Sequence, residues 1–174
     1  KKLKSDQFCP IILRKGTVFG QSPRMRYDLV VNTFVKSAYL NRRLNLHLGG
    51  RMWRPLIHIN DVAEGYIASL RAKKEDVCGQ VINLLSTNLT IKQVAKDVKF
   101  TLENNHDFHI DLDFQEVGVA RSYRVDDSLC KELLTFTPKH NISEAIDVMW
   151  DALVSGIDPN EPIYYNILWL ELLC

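Results

Sequence analysis

The chain has 174 residues, 46% of them hydrophobic, enough to bury the core of one ordinary domain. Its 22 Lys and Arg against 21 Asp and Glu exclude the basic excess of a general nucleic-acid binder, though not a local anion site built from two or three arginines. Cys9, Cys78, Cys130 and Cys174 form neither a Cys-x-x-Cys pair nor a Cys/His cluster, so the expectation is small core thiols in a reducing compartment, with no metal site.

Residues 1–7 read as the end of a helix. The apolar run from Cys9 to Arg14 then predicts a buried strand, which needs parallel neighbours from elsewhere in the sheet. Gly16 and Gly20 mark a turn-rich segment, and Gln21 to Arg26 a polar loop. Asp28 is placed to cap a helix whose apolar stripe includes Leu29, Val30, Phe34, Val35 and Ala38. Leu44 to Leu48 alternates as a half-buried strand, stopped by Gly49-Gly50. Asn60-Asp61 precede an amphipathic helix from Val62 to Leu70, and Gly79 to Leu85 is a second buried-strand candidate. Thr90 starts a helix with Ile91, Val94, Ala95 and Val98 on one face; Glu103 to Asp107 reads as a solvated loop carrying His106. Ile110 to Phe114 alternates as a strand, and Ser143 caps a helix from Glu144 to Val154 that Gly156 ends. Strands and helices alternate throughout, which indicates an α/β architecture. The apolar tail from residue 157 to 174 is too short and interrupted to cross a bilayer, no signal peptide is visible, and the cytoplasm is the default compartment.

Several of these segments carry a resemblance when taken in order. Leu13-Arg14 through Thr17-Val18-Phe19-Gly20 and Ser22 to Arg26 resemble the loop after the sixth strand of extended short-chain dehydrogenases/reductases. Arg54-Pro55-Leu56-Ile57-His58-Ile59-Asn60-Asp61-Val62-Ala63 is similar to that family's Arg-x-x-x-His-Val-x-Asp-Val-Ala motif. Gly79 to Leu84 is similar to its Gly-x-x-x-Asn strand, and Arg121 to Asp126 with Phe136-Thr137-Pro138 to a segment near its C-terminus. The resemblance runs from about Pro10 to Gly156 and implies an NAD-dependent nucleotide-sugar epimerase or dehydratase. The implied fold is the C-terminal part of a Rossmann-type enzyme: the remaining sheet strands plus a small substrate-binding α/β subdomain over residues 1–156.

The family's catalytic parts are not in this sequence. None of the six tyrosines has a lysine four positions on, and no Gly-x-x-Gly-x-x-Gly or Gly-x-Gly-x-x-Gly turn occurs. The family's spacing puts the Tyr-x-x-x-Lys pair before Lys1. The expectation is therefore no catalytic residue in the chain, and NAD or NADP bound by a full-length enzyme but poorly by this part alone.

What the resemblance implies for individual residues is specific. Arg54 contacts the diphosphate of a nucleotide-diphosphate sugar through its fork of charged donors, and Arg121 is the second clamp, although Val119 stands where an Asp often precedes it. Thr17 reaches the sugar, Asn32 faces the nucleotide, and Gly16 and Val18 approach the nicotinamide side of the cofactor; Gly16 and Gly20 serve tight turns equally well. Arg24 and Arg26 are either the mouth of the anion site or merely solvated. Leu46 to Leu48 is an edge that meets the base through backbone groups. His58 is read as structural, Asp61 as a helix cap, and Trp53 and Trp150 as packing residues. A homodimer is compatible with all of this. The alternative is a non-catalytic ligand- or protein-binding module, a degenerate paralogue or truncated fragment, with Ile163 to Trp169 as a protein interface.

Overall fold

The computed structural model describes residues 7–118 and 121–173, so the expected helix end at residues 1–6 lies outside the described residues. Strands β1 (Ile12–Lys15) and β2 (Thr17–Phe19) are separated only by Gly16. They are followed by α1 (Val30–Asn41), β3 (Arg43–His47), β4 (Trp53–His58), α2 (Ile59–Arg71) and the short α3 (Lys74–Val77). Then come β5 (Val81–Leu84), β6 (Thr87–Thr90), α4 (Ile91–Asn105), β7 (Asp111–Gln115), α5 (Ser128–Leu134), α6 (Ile142–Val154) and α7 (Asn166–Glu171).

Among the described residues three small sheets result. β1 pairs with β5 and β3 with β7, both parallel; β4 is central to the third, parallel to β2 and antiparallel to β6. Two cores divide the molecule. The larger gathers α1, β3, α4 and α6 through Phe34, Val35, Leu44, Leu46, Val98, Leu102, Met149 and Trp150; the smaller joins β4, β5, α2 and α5 through Ile57, Ile82, Leu84, Cys130 and Leu134. At Gly16 the chain steps from one sheet to the next with its backbone against Pro55: a Cβ there would meet the Pro55 carbonyl carbon and oxygen at 3.0 Å.

The apolar periodicities locate the elements, with informative exceptions. β3 alternates exposed and buried residues as its sequence predicts, and the burial of Val94, Ala95 and Val98 on α4 follows the expected stripe. β1 is not buried: Ile12 is 46% exposed, because among the described residues β5 is its one sheet neighbour. The caps differ most. Asp28 does not cap α1, whose N-cap is Leu29; its carboxylate is held 2.7 Å from Arg26 instead. α2 is capped by the His58 ring, which accepts from the Asn60 N–H, and not by Asp61. α6 begins at Ile142 with Asn141 as its cap, two residues earlier than Ser143 would place it. The expected loop from Glu103 is helical as far as Asn105; His106 then lies against Trp150, with ring centroids 5.0 Å apart. No helix among the described residues is long and apolar enough to cross a membrane.

Candidate functional site

β2 organises the site because a strand turns successive side chains to opposite faces. Thr17 lines one cleft of about 570 Å³ and Val18 lines another of about 270 Å³. The first has an apolar floor of Val30, Phe34, Met52 and Ile91 and a polar rim of Thr17, Thr33, Ser37, Asn45, His47 and Arg54. An apolar floor with a few convergent polar groups is the usual form of a small-molecule site.

Arg54 reaches this rim from β4, the strand next to β2. Its Nη1 donates to the carbonyl oxygens of Trp53 (2.8 Å) and Arg121, and its guanidinium carbon lies 5.9 Å from the centre of the Tyr123 ring. Among the described residues it has no carboxylate partner, so the positive charge is held in place but not neutralised. Arg121 meets Arg54 through its carbonyl oxygen, while its own exposed side chain does not line the cleft.

Thr17 and Arg54 are thus brought together; the other expected residues lie elsewhere. Asn32 and Val18 share the second cleft with Lys15, Ser22, Arg24 and Arg26. Asn32 is not the exposed helix residue its position suggests: it is 3% exposed, its Nδ2 donates to the Arg26 carbonyl at 3.1 Å, and its Oδ1 has no partner. Gly16 faces a third hollow, with Arg14, Asn83 and Arg124, so it does not share a cleft with Val18.

The wall between the two clefts is the loop that ends at Leu29, a residue that lines both. Its polar content is an Arg26–Asp28 pair bonded through two nitrogens and both carboxylate oxygens at 2.7 Å. That bonding holds the Asp28 carboxyl below its ordinary value and raises the Arg26 guanidinium. Tyr27 is fully buried behind this pair, and burial pushes its phenol up to about 12.

Asn45 and His47 on β3 are cleft residues that the family motifs do not single out. Their signal was present: once Leu44 and Leu46 face the core, the alternation turns Asn45 and His47 outward, here onto the cleft. Thr33 and Ser37, one turn apart on α1, follow from the same helical spacing. Among the described residues no cluster of three or more His, Cys, Asp or Glu side chains could hold a metal ion.

Comparison with known proteins agrees with this architecture. The family model described as "NAD dependent epimerase/dehydratase family" matches residues 3–84, the span that carries β1, β2, the loop and Arg54. The solved UDP-glucuronic acid 4-epimerase of Bacillus cereus, in complex with UDP-glucuronic acid and NAD, superposes over 83% of this chain with a TM-score of 0.67 and 26% identity. Over residues 3–84 the chain is similar to the NAD-dependent epimerase/dehydratase family, and the structural likeness extends over most of the chain. A UDP-glucuronate 4-epimerase of Thermodesulfobacterium geofontis is 26% identical over 137 residues, 78% of this chain. The UDP-N-acetylglucosamine 4-epimerase of Bacillus cereus covers 88% of the chain at 27% identity and a TM-score of 0.63. In each case the chain spans less than half of the relative: 40% of the Thermodesulfobacterium protein, and 45% and 48% of the two Bacillus structures.

Proposed function

We propose that this chain supplies the nucleotide-sugar-binding side of an NAD(P)-dependent epimerase or dehydratase. The observation that carries the reading is the convergence of Thr17 and the unneutralised Arg54 guanidinium on one apolar-floored cleft. A diphosphate beside Arg54 takes charge-assisted hydrogen bonds from the nitrogens that Trp53 and Arg121 do not occupy. The Thr17 hydroxyl then faces the sugar, and Asn45 and His47 are further polar groups lining the same cleft. Arg121 supports this through its carbonyl, which orients the Arg54 guanidinium. Relatives at 26–27% identity whose names specify UDP-sugars make UDP-glucuronate and UDP-N-acetylglucosamine the first ligands to test.

The second cleft suits the nicotinamide end of the cofactor. Val18 offers an apolar contact, and the buried, unpartnered Oδ1 of Asn32 is an acceptor for a carboxamide N–H. Accepting and returning a hydride is the chemistry that cofactor supplies when bound. What this chain contributes is binding and orientation, since its sequence holds no Tyr-x-x-x-Lys pair. The cytoplasm is the compartment this reading implies.

A second reading, a module that binds a protein partner without turnover, is favoured by the exposed apolar residues Ile167, Leu170, Leu172 and Leu173 at the end of the chain. Calorimetric titration with UDP-glucuronate and UDP-N-acetylglucosamine separates the two. Binding that depends on Arg54 supports the first; the same heat from the wild type and Arg54→Ala refutes it.

A further inference from the structure

We infer that the C-terminal segment Tyr164–Asn166 is a strap that positions the loop between the two clefts, so that ligand affinity is set in part from the far end of the chain. The ligand-affinity half of this inference rests on the function proposed above; the positioning half does not.

Three contacts make the strap. The fully buried Tyr27 ring lies edge-on to Tyr164, with centroids 5.4 Å apart at 89°. Arg24 Nη2 donates to Asn166 Oδ1 at 3.0 Å, across 142 positions of sequence. Lys36, on the outer side of α1, donates to the Tyr165 hydroxyl at 2.8 Å, and that hydroxyl donates in turn to the Pro159 carbonyl at 2.8 Å. The loop belongs to no strand; Met25 and Tyr27 seat it in the larger core, and its remaining hydrogen bonds run to α1: Asn32 Nδ2 to the Arg26 carbonyl at 3.1 Å and Thr33 Oγ1 to the Tyr27 carbonyl at 2.7 Å. Both tethers converge on Arg26-Tyr27, the residues next to Asp28 and Leu29 on the cleft wall. Releasing Tyr164 opens one flank of the Tyr27 ring and loosens that side of the wall, while Met25 and the bonds to α1 still hold the other. Residues of the tail therefore act through Arg24 and Tyr27, as positioning residues, without touching either cleft.

Limited trypsin digestion of the full chain reads loop position directly, because the strapped loop carries the cleavable Arg24–Met25 and Arg26–Tyr27 bonds. Cleavage after Arg71, at the distant end of α2, is the internal control. In Tyr164→Ala/Asn166→Ala the two loop bonds are expected to be cut several-fold faster at an unchanged control rate. Tyr164→Phe, which keeps the ring, should restore the wild-type rate. UDP-glucuronate affinity should fall several-fold in the double variant and recover in Tyr164→Phe. Unchanged loop cleavage in a double variant with a native far-ultraviolet spectrum overturns the strap. Faster cleavage with unchanged affinity, in a protein whose Arg54→Ala variant loses affinity, overturns the claim that the tail sets affinity and leaves the positioning of the loop standing. If no UDP-sugar binds even the wild type, the functional proposal fails, and loop cleavage still decides whether the tail positions the loop.

Discussion

His140 Nδ1 lies 2.9 Å from the Asp61 carboxylate, whose two oxygens also accept the backbone N–H groups of Lys139 (3.0 Å) and His140 (3.2 Å). Asp61 is 1% exposed, so these three donors are its whole solvation, and they fasten the segment before α6 onto the first turn of α2. Removing the acceptor leaves three donors without the partner that joins the two segments. Asp61→Ala is expected to lower stability by about 3 kcal/mol, and Asp61→Asn by about half as much, since one oxygen remains. Urea unfolding at neutral pH measures both; a loss below about 1 kcal/mol in the alanine variant contradicts the anchoring role.

The same junction makes stability depend on pH. The His58 ring stacks on His140 with centroids 4.5 Å apart. Burial, and then the nearby His140, hold His58 below the ordinary value of 6.5, while Asp61 and Glu144 pull weakly the other way. The unfolded chain thus binds this proton more readily than the folded one. The associated stability is complete above 6.5 and is lost as the pH falls through the lowered folded value. Protonation also removes the Nδ1 lone pair that accepts from the Asn60 N–H at 3.2 Å. The urea midpoint should drop between about pH 7.5 and pH 5, and drop less in His58→Asn, which retains a capping acceptor without the titration. Equal drops in both proteins would assign the effect to other groups.

Helix caps mark the limit of what the sequence discloses. Thr90 was legible because its capping box is local: the Thr90 hydroxyl accepts from the Gln93 N–H at 3.2 Å, and the Gln93 side chain returns to the Thr90 N–H at 2.9 Å. At α6 both Asn141 and Ser143 are good caps, and propensity alone does not choose between them. Tertiary structure does, since Asp61 holds the N–H groups of Lys139 and His140, and Asn141, in extended backbone, follows them at the helix start. Asn141 Oδ1 then accepts from the Glu144 N–H at 2.8 Å. Asn141→Ala should cost about 1 kcal/mol, and Ser143→Ala less than about 0.5 kcal/mol. Chemical denaturation of the two variants side by side tests this, and the reverse ranking refutes it.

The site was legible to a different degree. The motif around Arg54 names the residue, and the parallel pairing of β2 with β4 in register, Thr17 opposite Leu56, is what sets it beside Thr17. Separating Val18 from Thr17 needs only the period of a strand, but recognising that Asn32, on α1, is buried with an unpartnered oxygen needs the loop placed against that helix. Asp28 shows why: by sequence it is a helix cap, and only the conformation of the loop brings Arg26 against it.

The decisive substitutions are at Arg54. Its guanidinium is anchored through Nη1 on two carbonyls, which orients the rest of the fork without neutralising it. Losing a charge-assisted contact to a diphosphate should weaken UDP-sugar binding by about 1.5–3 kcal/mol, roughly 10- to 150-fold, in Arg54→Ala. Arg54→Lys keeps the charge but cannot hold two carbonyls and a diphosphate at once, so it should fall between the alanine variant and the wild type. Arg124→Ala provides the control, because that side chain lies over the Trp53 ring, 4.7 Å from its centre, and lines a different hollow. Calorimetric titration of all four proteins gives the ranking. If Arg54→Lys binds as tightly as the wild type, a point charge suffices and the geometry of the fork is irrelevant. If Arg124→Ala loses as much affinity as Arg54→Ala, the diphosphate lies over the Trp53 ring and outside the Thr17 cleft.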